Sequence, residues 1–204
     1  MLNIFARASV SRVTDPVGAW LVQRGLTPNA MTIVGALCSV AAALIFFPRG
    51  WLLAGTFTVW AFAMFDLLDG AMARAAGRST KFGAVLDASC DRIADGALLG
   101  AMAWWCFAIA HNQLATAAAL VCLVSAQVIS YVKARADAAG LAADGGLVER
   151  AERLIIALAG TGLQGFGVPY AVVVALCLLA VLSVITVGQR LWAVRCSARE
   201  AGVL

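Results

Sequence analysis

The chain has 204 residues, of which 63% are hydrophobic and 13% are charged, and its formal net charge is +4. Soluble domains are about half apolar and about a quarter charged, so the composition excludes an ordinary soluble globule, a disordered chain and a collagen-like repeat. The six cysteines are scattered and form no CxxC pair, which indicates small core residues rather than a disulfide scaffold. An integral membrane protein is the class that remains.

The first 27 residues lack a sustained apolar core, so a secretory signal is not expected. They are predicted to form an amphipathic juxtamembrane helix on the membrane surface, broken near Pro16. A membrane-spanning helix needs about 20 apolar residues. Six apolar runs follow, at about 29–47, 51–72, 82–110, 114–136, 152–164 with its flanks, and 168–192. The predicted fold is all-α, a polytopic membrane protein with six transmembrane helices in residues 28–198 and a short cytoplasmic tail at 199–204.

Charge placement predicts the orientation. With six spans, both termini and the second and fourth loops share one side, and 14 of the 15 Lys and Arg residues fall there or in the adjoining helix ends, leaving Arg49 on the other side. This basic excess predicts a cytoplasmic face for that side, in a multi-pass protein of the cell membrane. All 11 Asp and Glu residues fall in the same half. Acidic residues contribute little to orientation, so they need another reason to gather there.

Two groups of aspartates follow one another across a short turn: Asp66 and Asp69, then Asp87, Asp91 and Asp95. Spacings of three and four place the members of each group on one helix face. Several ionised carboxylates near lipid are costly unless they are protonated or bind multivalent cations. Carboxylate oxygens suit Mg²⁺, Mn²⁺ or Ca²⁺, and two divalent ions would balance four carboxylates and serve phosphoryl transfer. A structural cluster or an ion or proton path through a transporter is the alternative.

The turn region combines small residues with cations. Glycines and alanines between Gly70 and Gly77 would let a neighbouring helix or a flat ligand approach the backbone closely. Plain helix packing would explain them equally well. Arg74, Arg78 and Lys81 add positive charge beside the carboxylates, as an anionic ligand would require.

The stretch from Asp66 to Asp91 reads DxxDGxxARx₈GxxxDxxxD, and it resembles the signature of the CDP-alcohol phosphatidyltransferases. The resemblance implies transfer of a phosphatidyl group from CDP-diacylglycerol to an alcohol with release of CMP, by an enzyme that is a homodimer in the lipid bilayer. It makes residues 28–198 the catalytic domain. The apolar outer halves of the spans count against a transporter, and no nucleic-acid partner is expected.

The resemblance also assigns roles to single residues. Asp66, Asp69, Asp87 and Asp91 would bind two divalent cations, Mg²⁺ first and Mn²⁺ as the alternative, and Asp91 would be the general base. Asp95 is outside the motif, and its position on the same helix face one turn further predicts a hydrogen-bonding partner behind this site. The candidates for binding the nucleotide and the CDP-lipid are Asn29, Thr32, Asp66, Asp69, Gly70, Ala73, Arg74, Arg78, Thr80 and Gly83.

Cations at three helix ends predict a second phosphate, carried by the acceptor. The candidates are Lys133, Arg135, Arg153 and Arg195. A solvated basic collar that only sets the orientation is the alternative. The sequence from Lys133 to Arg153 resembles the actinobacterial phosphatidylinositol phosphate synthases, which implies inositol phosphate as the acceptor. A phosphatidylglycerophosphate synthase, with glycerol 3-phosphate as acceptor, is the nearest alternative interpretation.

Overall fold

A computed structural model describes residues 14–77 and 80–203, without the side chains of residues 66 and 67. In these ranges the regular structure is helical and no strand occurs. The helices are α1 (14–23), α2 (Pro28–Phe46) followed by a 3₁₀ turn (Phe47–Arg49), α3 (Leu52–Ala63), α4 (Phe65–Ala75), α5 (Lys81–Ala108), α6 (Gln113–Ala138), α7 (Arg150–Gly165) and α8 (Ala171–Glu200).

Several helices begin where side chains satisfy the first backbone amides. The Thr27 hydroxyl accepts a hydrogen bond from the amide of Ala30 at 3.3 Å, and Pro28 occupies the first turn of α2, where a missing amide costs nothing. The Asn112 side chain caps α6 by accepting from the amide of Ala115 at 2.9 Å. A reciprocal capping box between Glu149 and residue 152 opens α7. These caps set the starts of three helices.

Four helical segments of the described chain are long and apolar enough to cross a membrane: Pro28–Arg49, Leu52–Ala75, Gln113–Ala138 and Ala171–Glu200. Large apolar side chains such as Val124 and Val174 are exposed on their surfaces, as lipid-facing residues are. The chain is therefore a membrane protein. Helix α5 carries several charges in its first half and α7 has only 16 residues, so six spans stay a prediction.

The second apolar run forms α3 and α4, which meet at Met64. The backbone at Met64 keeps helical dihedral angles and its amide donates to the carbonyl of Trp60 at 3.2 Å, so the two helices together make the helical segment Leu52–Ala75. Phe65 at the start of α4 packs on Gly35 of α2, where an added Cβ would lie 3.2 Å from the Phe65 Cβ. The Phe65 ring also lies 5.4 Å from that of Phe62 on α3. Phe65 thus connects the start of α4 to both α2 and α3.

Helix α1 runs without interruption from residue 14 to residue 23 and includes Pro16. The break predicted near Pro16 is therefore absent from residues 14–23, and residues 1–13 lie outside the described part of the chain. Gly18 lies against α4, because a Cβ there would come within 2.9 Å of the backbone of Ala71 and Met72. The helix is thus fixed by direct packing, whereas its predicted position on a membrane surface stays a prediction.

The described helices form two compact units, one from residues 14–43 and 57–94 and one from residues 44–56 and 95–203. In the second unit, α8 packs against α6 and α7. Its core includes Leu176 and Leu179 of α8, which are fully buried. Gly160 lets α7 approach α8 closely, since a Cβ at this position would lie 2.5 Å from the Cβ of Ala175.

The loop between α6 and α7, residues 139–149, is bound to α8 by side chains on that helix. The amides of Ala142, Leu147 and Val148 donate hydrogen bonds of 3.0–3.2 Å. The acceptors are the side chains of Ser197, Gln189 and Thr186. Arg190 donates to the carbonyl of Gly145 at 3.2 Å and to the carbonyl of Ile129 on α6 at 3.1 Å. We call this set of contacts the α8 clamp.

Replacing Arg190 with methionine is expected to destabilise the second unit. Arg190 is only 5% exposed, and the variant would remove both of its hydrogen bonds to backbone carbonyls, at a cost of about 2–4 kcal/mol. Thermal unfolding in detergent should show an apparent Tm lower by roughly 5–10 °C. Arg199→Met changes an exposed arginine of the same helix and is the matched control. Equal Tm values for the two variants would contradict the importance of the clamp.

Candidate active site

The first unit contains a cavity of about 600 Å³ between the end of α1, the start of α2, α4 and the start of α5. Polar groups and small residues line it, and residues 25–28 are part of the lining. Eight of the predicted site residues line this cavity: Asn29, Thr32, Asp69, Gly70, Ala73, Thr80, Gly83 and Asp87. They come from three helices and a turn, so the fold gathers residues that are spread over 59 positions, from Asn29 to Asp87.

Asp69 is 7% exposed and is held by a hydroxyl from a different helix. The Thr32 Oγ1 atom donates to Asp69 Oδ2 at 2.5 Å and lies 3.1 Å from the carbonyl oxygen of Pro28. A buried carboxylate with a short donor keeps a fixed orientation. The α2 residue Thr32 therefore positions the carboxylate of α4 at the cavity wall.

The glycine at position 83 makes room for two polar side chains. The Thr80 hydroxyl caps α5 by accepting a hydrogen bond from the Gly83 amide at 3.0 Å. A Cβ at Gly83 would lie 3.0 Å from Thr80 Oγ1 and 3.1 Å from Asn29 Oδ1. Both distances are tighter than ordinary contacts. Any larger residue would force these two groups, which line the cavity, to shift.

Asp87 and Asp91 lie one turn apart on α5, which puts both on one helix face. Asp87 lines the cavity. The side chain of Asp91 is 17% exposed, and its Oδ2 lies 3.9 Å from a guanidinium nitrogen of Arg92. Among the described residues the cavity lining includes neither Asp91 nor Arg74. Arg74 instead pairs with Asp15 of α1 at 2.7 Å, and both side chains are more than half exposed.

The cations predicted to bind an acceptor phosphate lie in the second unit, and their environments differ. Lys133 and Arg135 are exposed near the end of α6. Arg195 is exposed on α8, with its guanidinium 5.9 Å from the centre of the Trp192 ring. Arg153 is only 5% exposed. Arg78 lies outside the described residues.

Sequence reasoning missed the ion pairs of Asp95. Its Oδ1 lies 3.4 Å from Nε of Arg150, and its Oδ2 lies 3.5 Å from NH2 of Arg153. The two arginines are three residues apart at the start of α7 and therefore share one face. This spacing could have predicted that the two arginines share a helix face, but the sequence does not show which carboxylate forms ion pairs with them.

Comparison with known proteins decides the family. Residues 25–188 match the family model described as CDP-alcohol phosphatidyltransferase. The chain belongs to this family. It is therefore a transferase of a membrane-bound enzyme family, as the motif from Asp66 to Asp91 predicted.

Close relatives of this phosphatidyltransferase have a more specific name. A phosphatidylinositol phosphate synthase of Mycobacterium marinum is 55% identical over 192 residues, which are 93% of this chain and 82% of the relative. The crystal structure of the Mycobacterium tuberculosis phosphatidylinositol phosphate synthase with CDP-DAG bound is 52% identical, with a TM-score of 0.88, covering 91% of this chain and 95% of that chain. A structure of the same protein in complex with manganese and citrate is 52% identical, with a TM-score of 0.87 and 90% coverage of both chains.

The carboxylates of this phosphatidyltransferase have the donor chemistry that a divalent cation requires. Asp69 and Asp87 line one cavity, and the described residues around it include neither a histidine nor a cysteine. Hard oxygen ligands of this kind select Mg²⁺ or Mn²⁺ over zinc. Within the part of the chain that the structure describes, no group of three His, Cys, Asp or Glu side chains is close enough to hold a metal. The side chain of Asp66, the fourth predicted ligand, lies outside that part.

Proposed function

We propose that the chain is a phosphatidylinositol phosphate synthase, which transfers the phosphatidyl group of CDP-diacylglycerol to inositol phosphate and releases CMP. The identity of 55% over nearly the whole chain to a synthase of this name carries the proposal. The cavity of the first unit supports the donor half, because it collects eight residues of the predicted nucleotide and metal site. Its volume of about 600 Å³ suits a nucleotide-sized ligand.

The donor half of the site would be built around the carboxylates. Asp66, Asp69, Asp87 and Asp91 would hold two divalent cations, Mg²⁺ first, which neutralise the diphosphate and stabilise the departing CMP when bound. Gly70, Ala73 and Gly83 leave room for the nucleotide, and Asn29, Thr32 and Thr80 offer polar groups at the cavity wall. Arg74, in the last turn of α4, and Arg78 would add positive charge.

The reaction would be a single displacement. The acceptor hydroxyl oxygen forms a bond to the phosphatidyl phosphorus while the bond from that phosphorus to the CMP oxygen breaks, and CMP leaves with the electron pair. The proton of the attacking hydroxyl passes to the Asp91 carboxylate, which is the general base. Lys133, Arg135, Arg153 and Arg195 would bind the phosphate that the acceptor already carries.

The chain would work in the cell membrane as a homodimer with six spans, of which α5 and α7 are the two beyond the four long apolar segments. Residues 1–27 would lie along the inner surface, residues 28–198 would form the catalytic domain, and residues 199–204 would be a cytoplasmic tail. The basic excess on one side supports a cytoplasmic active site with both termini on that side.

The acceptor can be tested directly with the purified enzyme. We expect CMP release from CDP-diacylglycerol to be fast with inositol phosphate and slow with glycerol 3-phosphate in the presence of Mg²⁺. Faster release with glycerol 3-phosphate would replace the proposal by a phosphatidylglycerophosphate synthase. Absence of release with either acceptor, together with metal-ion flux in proteoliposomes, would favour a transporter.

Replacing Lys133 with alanine is expected to weaken binding of the acceptor. Loss of one charge-assisted hydrogen bond to a phosphate should raise the KM for inositol phosphate by about 10-fold or more. The KM for CDP-diacylglycerol should stay within a factor of two or so of the wild-type value. Arg199→Ala, which removes another exposed cation, is the control. Equal acceptor dependence in both variants would indicate that Lys133 serves only the orientation in the membrane.

Replacing Gly83 with alanine is expected to impair binding of the CDP-lipid. The new Cβ would lie about 3 Å from Thr80 Oγ1 and Asn29 Oδ1 and would force these two cavity-lining groups to shift. Overpacking of this kind should raise the KM for CDP-diacylglycerol by about 10-fold. Gly100→Ala, in the same helix with nothing within 4 Å of its Cβ, controls for the higher helix propensity of alanine. Identical KM values for the two variants would contradict the assignment of Gly83.

A further inference from the structure

Asp95 joins the middle of α5 to the start of α7 through two arginines. It is 9% exposed, and each of its carboxylate oxygens faces a different guanidinium: Arg150 at 3.4 Å and Arg153 at 3.5 Å. The Arg150 contact is also a hydrogen bond from Nε. All three residues lie in the second unit. Asp95 is outside the family motif, which ends at Asp91.

The two arginines that pair with Asp95 differ in their exposure to solvent. The side chain of Arg153 is 5% exposed, whereas that of Arg150 is 30% exposed. Two guanidinium groups around one carboxylate give the three side chains a formal charge of +1. A guanidinium has five N–H donors, so a contact with a carboxylate does not by itself prevent it from also binding a phosphate. The cluster is therefore suited to an anion that approaches from the side of Arg150.

The backbone that carries the two arginines is fixed as well. The capping box of Glu149 and residue 152 sets the first turn of α7. The α8 clamp binds the preceding loop, and Arg190 of the clamp lies 3.8 Å from a carboxylate oxygen of Glu149. With the backbone fixed at one end and Asp95 at the other, the long arginine side chains keep few alternative orientations. Binding of a ligand then loses less conformational entropy.

We propose that Asp95 is a positioning residue, which holds Arg150 and Arg153 in the orientation that binds the phosphate of the acceptor. The proposal rests on the proposed function for the identity of the acceptor. It adds Arg150 to the acceptor site as the more accessible of the two guanidinium groups. It also gives Asp95 a role in selecting phosphorylated acceptors, since an unphosphorylated alcohol would gain nothing from the arrangement.

The test is Asp95→Asn in the full-length enzyme, with steady-state kinetics for both substrates. Asparagine keeps the size of the side chain but removes its charge, so the KM for inositol phosphate should rise by about 10-fold. The kcat at saturating acceptor and the KM for CDP-diacylglycerol should stay within about three-fold. Asp95→Glu keeps the carboxylate and should restore part of the acceptor affinity. Asp137→Asn, an exposed aspartate at the end of α6, is the control and should behave as the wild type.

A second measurement does not depend on turnover. Inositol phosphate should raise the Tm of the wild-type enzyme, and this rise should be smaller in Asp95→Asn at the same ligand concentration. Arg150→Gln alters a partly exposed side chain, so it keeps the test valid if Asp95→Asn does not fold. The same loss of acceptor affinity is expected for Arg150→Gln, and an unchanged KM would overturn the proposal.

Further outcomes also decide whether Asp95 is a positioning residue. A fall in kcat with an unchanged acceptor KM would make Asp95 part of the chemistry rather than a positioning residue. An equal rise of both KM values with a lower Tm would show a structural role alone. If the wild type uses glycerol 3-phosphate instead, the proposed function fails, but the KM for that phosphate should still rise in Asp95→Asn. Failure of that rise would overturn the role of Asp95 separately.

Discussion

Replacing Asp91 with asparagine is expected to abolish turnover while largely sparing nucleotide binding. Asparagine cannot accept the proton of the acceptor hydroxyl, and loss of a general base costs on the order of 10²- to 10⁴-fold in kcat. Loss of a metal-binding carboxylate would add to this. Asp91 does not line the cavity of the first unit, whereas Asp69 and Asp87 do, so the nucleotide should keep most of its contacts. CMP release measures the first effect, and stabilisation of the protein by CMP measures the second.

The matched control for Asp91→Asn is Asp144→Asn. Asp144 is exposed in the loop before α7, so its charge can be removed without disturbing a site. Its turnover should equal that of the wild type. Normal turnover by Asp91→Asn would remove Asp91 from the role of base, and loss of CMP binding in parallel with turnover would make it a nucleotide ligand instead.

Replacing Asp69 with asparagine is expected to make activity depend on a much higher concentration of metal. The asparagine Oδ1 can still accept the Thr32 hydrogen bond, so the variant removes mainly the charge. Loss of an anionic ligand should raise the Mg²⁺ concentration for half-maximal activity on the order of 100-fold or more. Titration of CMP release with Mg²⁺ and Mn²⁺ would measure this shift.

Thr32→Val separates the orientation of the carboxylate from its charge. It keeps Asp69 ionised but removes the 2.5 Å hydrogen bond. Loss of a partner that orients a ligand costs about 10- to 100-fold in metal affinity, so a smaller shift than in Asp69→Asn is expected. Unchanged metal dependence in both variants would exclude Asp69 from the metal site.

The apolar runs predicted most helix positions because lipid imposes a long hydrophobic segment for each span. The first, third and fourth runs agree with α2, α5 and α6 to within two residues. The second run corresponds to α3 and α4, which meet at Met64. The contact of Phe65 with Gly35 joins residues thirty positions apart, and hydropathy carries no information on such a contact. Helix α8, which corresponds to the sixth apolar run, extends beyond that run to Glu200, because charged residues outside lipid can remain helical.

The candidate site was predictable where a local motif carries it. Spacing along a helix brings Asp87 and Asp91 to one face without any knowledge of the fold. Pairs between helices were not predictable. Asp15 meets Arg74 across 59 positions, and Asp95 meets Arg150 across 55. Helix packing chooses these partners, and a single sequence offers several equally suitable charges for each.

The α8 clamp also has a mechanical consequence. Its four side chains occupy positions 186, 189, 190 and 197. They form hydrogen bonds with backbone atoms of the loop and not with its side chains. A rotation of α8 by one residue would turn it by about 100° and break every one of these bonds. The last turns of α8 and the first turn of α7 should therefore move together as one rigid body. A displacement of the last turns of α8 would therefore reach Arg150 through the hydrogen bonds of the loop.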